Sequence, residues 1–122
     1  MIDRLTTAEL AKILAGKKTE EKARVVKFYS EKCYLCRNLR PHYYQIAKNN
    51  EDLEFYVFDV ADYPQIQRRL NFKGVPTIVL IRSGGDFGKT RVTTIGDPDV
   101  SDPSTYYTRR YIQDFIEECR ER

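Results

Sequence analysis

Between Arg24 and Val60 the chain spells strand, helix, strand. "RVVKFYS" (Arg24–Ser30) is rich in β-branched and aromatic residues, as a strand is. "LEFYVFDV" (Leu53–Val60) is almost continuously apolar, the pattern of a strand covered on both faces. Leu39, Tyr43, Ile46 and Ala47 fall at helical spacing between them, which predicts a helix over Tyr34–Lys48 with a kink at Pro41. Strands joined through a helix run parallel, so the chain needs a sheet with helices packed on it.

The remaining segments extend that plan. Thr6 and Glu9 have capping-box spacing ahead of Leu10, Ile13 and Leu14, and Gly16 is a natural stop for this first helix. Asp62 is placed to cap a short helix carrying Ile66 and Leu70. "VPTIVLI" (Val75–Ile81) and "RVTTI" (Arg91–Ile95) read as strands joined by the glycine-rich turn "RSGGDFGKT". Tyr107, Tyr111, Phe115 and Cys119, with Ile112 and Ile116 alongside, mark the inner face of a closing helix. The expected architecture is α/β: a mixed central sheet of four to five strands with helices on both faces. At 122 residues it forms one domain, 1–122.

The first strand runs directly into Cys33 and Cys36. A helix N-terminus offers unpaired N–H groups and the positive end of its dipole. A cysteine there is pushed toward thiolate, its reactive form. One turn later, a second cysteine is near enough to close a disulfide. Lys32 and Arg37 flank the pair and add positive potential. Cys33 is therefore the nucleophile and Cys36 the thiol that resolves the mixed disulfide. Two other readings compete. A zinc site needs about four ligands, but Cys119 is distant and the only histidine, His42, lies six residues past Cys36, off its helical face. Inert core thiols have no need of a strand–helix junction.

Charge and composition narrow the partners. The net charge of +3 comes from scattered basic residues, unlike the clustered stripe of a nucleic-acid binder. No segment approaches the roughly 20 apolar residues of a membrane span. The N-terminus lacks the apolar stretch of a secretory leader, and three cysteines are too few, and odd in number, for a disulfide-stapled extracellular scaffold. The expectation is a monomer of the cytoplasm or an organelle stroma, bound to neither nucleic acid nor membrane.

"VVKFYSEKCYLC", Pro41 five residues after Cys36, and "GVPT" (Gly74–Thr77) stand in an order and spacing that resemble the thioredoxin family. The resemblance runs over nearly the whole chain from Arg24 onward. It implies the thioredoxin fold and thiol–disulfide exchange without a cofactor. The implied partners are proteins carrying disulfides and a reductase or electron carrier that recycles the pair. It also implies a cis bond before Pro76, a substrate segment paired to the Val75 backbone, and a substrate-side glycine at Gly96. The chain departs from the pattern in several places. Lys32 replaces the usual tryptophan, Tyr34-Leu35 is an unusual spacer, and Lys27 occupies the position of a buried acid that moves the second cysteine's proton. A buried amine there would take the Cys36 proton or hold its thiolate; an ammonium that snorkels to the surface would do neither. A non-catalytic binding module of the same fold stays open as a second function.

Other residues carry plainer expectations. Tyr29 and Cys119 read as packing residues and Asp59 as a hydrogen-bonded carboxylate at a strand end. "GDPDVSDP" (Gly96–Pro103) is expected to border the active site, with Asp97, Asp99 and Asp102 giving it negative potential.

Overall fold

The computed structural model describes residues 2–17, 22–83 and 90–121. Among these residues five strands form one sheet in the order β1-β3-β2-β4-β5. They are β1 (Asp3–Arg4), β2 (Lys22–Tyr29), β3 (Glu54–Asp59), β4 (Thr77–Ser83) and β5 (Arg91–Thr94). β3 lies between β1 and β2 and is parallel to both. β4 runs antiparallel to β2 and to β5. The mixed α/β sheet is the one expected, with a short additional edge strand at β1. Most of the glycine-rich turn between β4 and β5 lies outside the described residues.

Alternation along the strands separates two cores. Val25, Ile78 and Leu80 face α2 (Tyr34–Asn49) and α4 (Arg109–Arg120). Val26, Phe28, Val79 and Ile81 face α1 (Thr7–Leu14) and α3 (Ile66–Leu70). Successive strand residues point to opposite faces, so one buried strand serves both layers. Lys27 shares the α2–α4 side with Val25.

Local signals account for the helix starts. The Thr6 hydroxyl accepts from the Glu9 N–H at 3.1 Å, and the Thr6 N–H donates to the Glu9 carboxylate at 2.9 Å. That closes the capping box of α1. Gly16 follows with φ +69°, and a Cβ there would stand 3.0 Å from the Thr90 hydroxyl, so both backbone and space favour glycine. α2 continues through Pro41, which costs it the hydrogen bond that residue cannot donate.

Asp62 does not cap α3. Asp59 ends β3 and accepts from the Ala61 N–H at 2.9 Å, which starts a 3-10 turn at Val60–Asp62. Asp62 then pairs with Arg4 at 2.9 Å, and α3 starts only beyond Pro64, without a side-chain cap. Tyr107 is buried but precedes α4, whose cap is Thr108 accepting from the Tyr111 N–H at 3.1 Å. β4 starts at Thr77 rather than Val75, because Pro76 has no N–H to give the ladder.

Candidate active site

Cys33 caps α2. Its sulfur accepts from the Cys36 N–H at 3.1 Å, and the two cysteines are joined by a disulfide across a Cα–Cα distance of 5.2 Å. The turn is shaped by the sequence: β2 ends at Tyr29, and the Cys33 N–H donates back to the Ser30 carbonyl at 3.1 Å. The sulfurs differ in access. Cys33 is half-buried, whereas Cys36 is 3% exposed. Of the two, Cys33 is the more open to an attacking thiol.

Pro76 brings the second wall. The Val75–Pro76 bond is cis, and the Cys33 sulfur lies 3.8 Å from the Val75 carbonyl oxygen. Val75, Pro76 and Gly96 line one groove of about 480 Å³ together with Leu35, Asp97 and Tyr106. A Cβ on Gly96 would stand 3.8 Å from the Tyr111 hydroxyl, an ordinary contact. The fold itself thus tolerates a side chain at Gly96, and the glycine keeps the groove open. Asp97 reaches the groove and accepts from the Tyr106 hydroxyl at 2.9 Å. Asp102 is not among the groove's lining residues: its carboxylate accepts from the Ser104 and Thr105 N–H groups at 2.8 and 3.2 Å and shapes its own turn.

Tyr106 escaped sequence reasoning. It sits at φ +64°, a conformation costly for a side chain of this size, held by paired backbone bonds with Asp102 at 2.9 and 2.8 Å. Its ring stands edge-on to Tyr107, which also lines the groove.

Lys27 lies behind the disulfide. It is 3% exposed and shares a pocket of about 360 Å³ with Cys36. Its Nζ is 5.1 Å from the centre of the Tyr43 ring. Burial, followed by the nearby positive charge of Arg40, lowers its pKa from 10.5 to about 8. Arg37 also lines this pocket, whereas Lys32, next to Cys33, is exposed and lines neither the groove nor the pocket. Pro41 is exposed on α2, one residue past Arg40. Arg40 was missed in the sequence, although its position one turn after Cys36 puts both on one helical face. Cys119 is buried in the α2–α4 core, and among the described residues no group of three or more histidine, cysteine or acidic side chains is set to hold a metal.

The thioredoxin family model matches residues 2–97, which include the cysteine pair, Pro76 and Gly96. The chain belongs to the thioredoxin family. It is 31% identical over 67 residues to thioredoxin H2 of Arabidopsis thaliana, covering 55% of this chain and 50% of that protein. Mitochondrial thioredoxin-3 of Saccharomyces cerevisiae is 31% identical over 65 residues, 53% of this chain and 51% of the relative. The chain thus spans about half the length of these curated relatives. Fasciola hepatica thioredoxin superposes with a TM-score of 0.68 at 22% identity, covering 97% of this chain and 98% of its own. Chloroplastic thioredoxin z gives a TM-score of 0.68 at 18% identity, with 99% and 96% covered. These structures share the thioredoxin fold with this chain.

Proposed function

We propose that the chain is a thiol–disulfide oxidoreductase acting on protein disulfides, and that 1–122 works as a single domain. The observation that carries this reading is the Cys33–Cys36 bridge at the start of α2, with its outer sulfur beside the Val75 carbonyl. In the reducing direction the Cys33 thiolate attacks a substrate disulfide. The Cys33–substrate bond forms as the substrate bond breaks and releases one substrate thiolate. Cys36 then loses its proton and attacks the Cys33 sulfur, which restores the intramolecular bridge and frees the second substrate thiolate. The two electrons end on the substrate, and a reductase replaces them. The cytoplasm or an organelle stroma suits such a partner. In an insulin-reduction assay with dithiothreitol, the protein is expected to speed precipitation and Cys33→Ser to remove the effect. A protein inactive in that assay would favour the non-catalytic binding module.

Lys27 is our candidate for the proton step. An amine that titrates near pH 8 is partly neutral at neutral pH and lies in the pocket that reaches Cys36. The titratable or charged groups sharing that pocket are Tyr29, Glu31, Cys36, Arg37, Arg40, Tyr43 and Tyr44. Lys27→Met keeps the stem but loses the amine. It is expected to slow resolution of the mixed disulfide and to change its pH profile between about pH 6 and 9, a span bracketing the free thiol value near 8.5. Stopped-flow profiles that superimpose would leave Lys27 with no part in the reaction.

Asp97 is our candidate for substrate selection. It is the loop carboxylate that lines the groove. Asp97→Asn is expected to slow reaction at low salt with substrates carrying basic residues near the disulfide. The difference should fade as salt shortens the Debye length toward about 8 Å. Equal rates at low salt would remove Asp97 from recognition.

A further inference from the structure

The pocket behind the disulfide has an unbalanced lining. It shares no residue with the groove at Pro76 and Gly96. Lys27, Arg37 and Arg40 face Glu31, the one carboxylate among its lining residues. Neighbouring strands offer Lys27 nothing: its register partners are Val57 on β3 and Ile78 on β4. Among the described residues its ammonium makes no hydrogen bond or ion pair; it lies 5.1 Å from the centre of the Tyr43 ring and is reached by solvent through the pocket, since no sealed side-chain polar atom there lacks a partner. A largely desolvated ammonium at a pocket wall gains from a charged acceptor that enters the pocket. Arg37 and Arg40 are exposed at the pocket and likewise have no ion-pair partner among the described residues.

The rest of the lining selects the kind of anion. Ile2, Val57 and the rings of Tyr29 and Tyr44 give the pocket apolar surface beside its cations, in a volume of about 360 Å³. A bare inorganic oxyanion would leave that apolar surface uncovered. We propose that the pocket is a binding site for a small organic monocarboxylate. Its carboxylate bridges Lys27 and Arg40, and its apolar body rests among Ile2, Val57 and Tyr44. The occupant lies next to Cys36, so it holds Lys27 protonated and withholds the amine from the resolving step. Binding stands apart from the redox reading, because it is measured on the disulfide form without turnover.

The test is calorimetric titration of the oxidised full chain with benzoate and with sulfate, joined to amide shift mapping by NMR. Benzoate is expected to saturate one site at least about tenfold more tightly than sulfate, a difference of about 1.4 kcal/mol. Shifts should centre on Lys27, Cys36 and Tyr44. Lys27→Met should weaken benzoate at least about tenfold, and Arg40→Gln should weaken it less because that guanidinium is exposed and screened. Lys27→Met removes a buried charge, so it is expected to fold, and Arg40→Gln alters only an exposed side chain. Absence of saturable benzoate binding, affinity unchanged in Lys27→Met, or shifts confined to the Pro76 groove would each overturn the site. Equal affinity for sulfate and benzoate would overturn the organic carboxylate as its ligand.

Discussion

Cys36→Ser is expected to convert the protein into a trap. Cys33 remains half-buried at the head of α2 and still attacks substrate disulfides, while the thiol needed to release the product is gone. Mixed disulfides should then accumulate on Cys33 toward one per chain, and turnover should fall to background. Cys33→Ser should be equally inactive but trap nothing, since Cys36 is buried. Non-reducing gels and mass spectrometry of the adducts read both outcomes. Trapping by Cys33→Ser instead of Cys36→Ser would reverse the two roles.

The second large effect concerns stability. Lys27 is largely buried, and burial followed by the charge of Arg40 lowers its pKa from 10.5 to about 8 on folding. Below pH 8 the lysine is charged in both the folded and unfolded chain, and folding bears the whole cost of burying it. Between pH 8 and 10.5 the unfolded chain holds the proton and the folded chain releases it, so this residue adds stability as pH rises. At 1.36 kcal/mol per unit the full span is on the order of 3 kcal/mol. Lys27→Met is therefore expected to be more stable than the parent by up to about 3 kcal/mol at pH 7. The advantage should shrink steadily toward pH 10. Urea denaturation of both oxidised proteins across that range isolates the lysine, because every other titrating group is shared. A pH-independent difference would mean that Lys27 stays protonated, or is already neutral, throughout.

Sequence patterns revealed the parts of the fold that rest on local chemistry. The capping box at Thr6 and Glu9 needs only neighbours, and so does the strand that delivers Cys33 to a helix start. That Lys27 stands at a buried position followed from the resemblance; its lack of a hydrogen-bond partner among the described residues did not. That depends on Val57 and Ile78 arriving from other strands. β1 was invisible because Asp3 and Arg4 carry no strand signal and pair only where β3 offers an edge. Tyr107 mimicked a helical position, since it is buried at the right spacing yet sits in the loop before Thr108. Asp62 lost its expected capping role because Asp59 had already turned the chain and Arg4 lay within reach.

The same limit applies to the groove. Leu35, Pro76 and Asp97 come from distant parts of the chain, and their meeting depends on α2 and β4 packing on one sheet. The resemblance named Pro76 and Gly96 for the site. It did not name Tyr106, whose left-handed backbone depends on a bridge to Asp102 within its own loop.

Equilibration against graded mixtures of reduced and oxidised glutathione, followed by thiol alkylation and mass spectrometry, tests the central claim most directly. Cys33 and Cys36 should oxidise together as one two-electron couple, with the equilibrium changing tenfold per roughly 30 mV. The pair should reduce again without unfolding, while Cys119, buried on the inner face of α4, stays unmodified in the folded chain. A bridge that never exchanges with glutathione or dithiothreitol in the folded protein would contradict a redox role. So would oxidation of Cys33 alone, without Cys36.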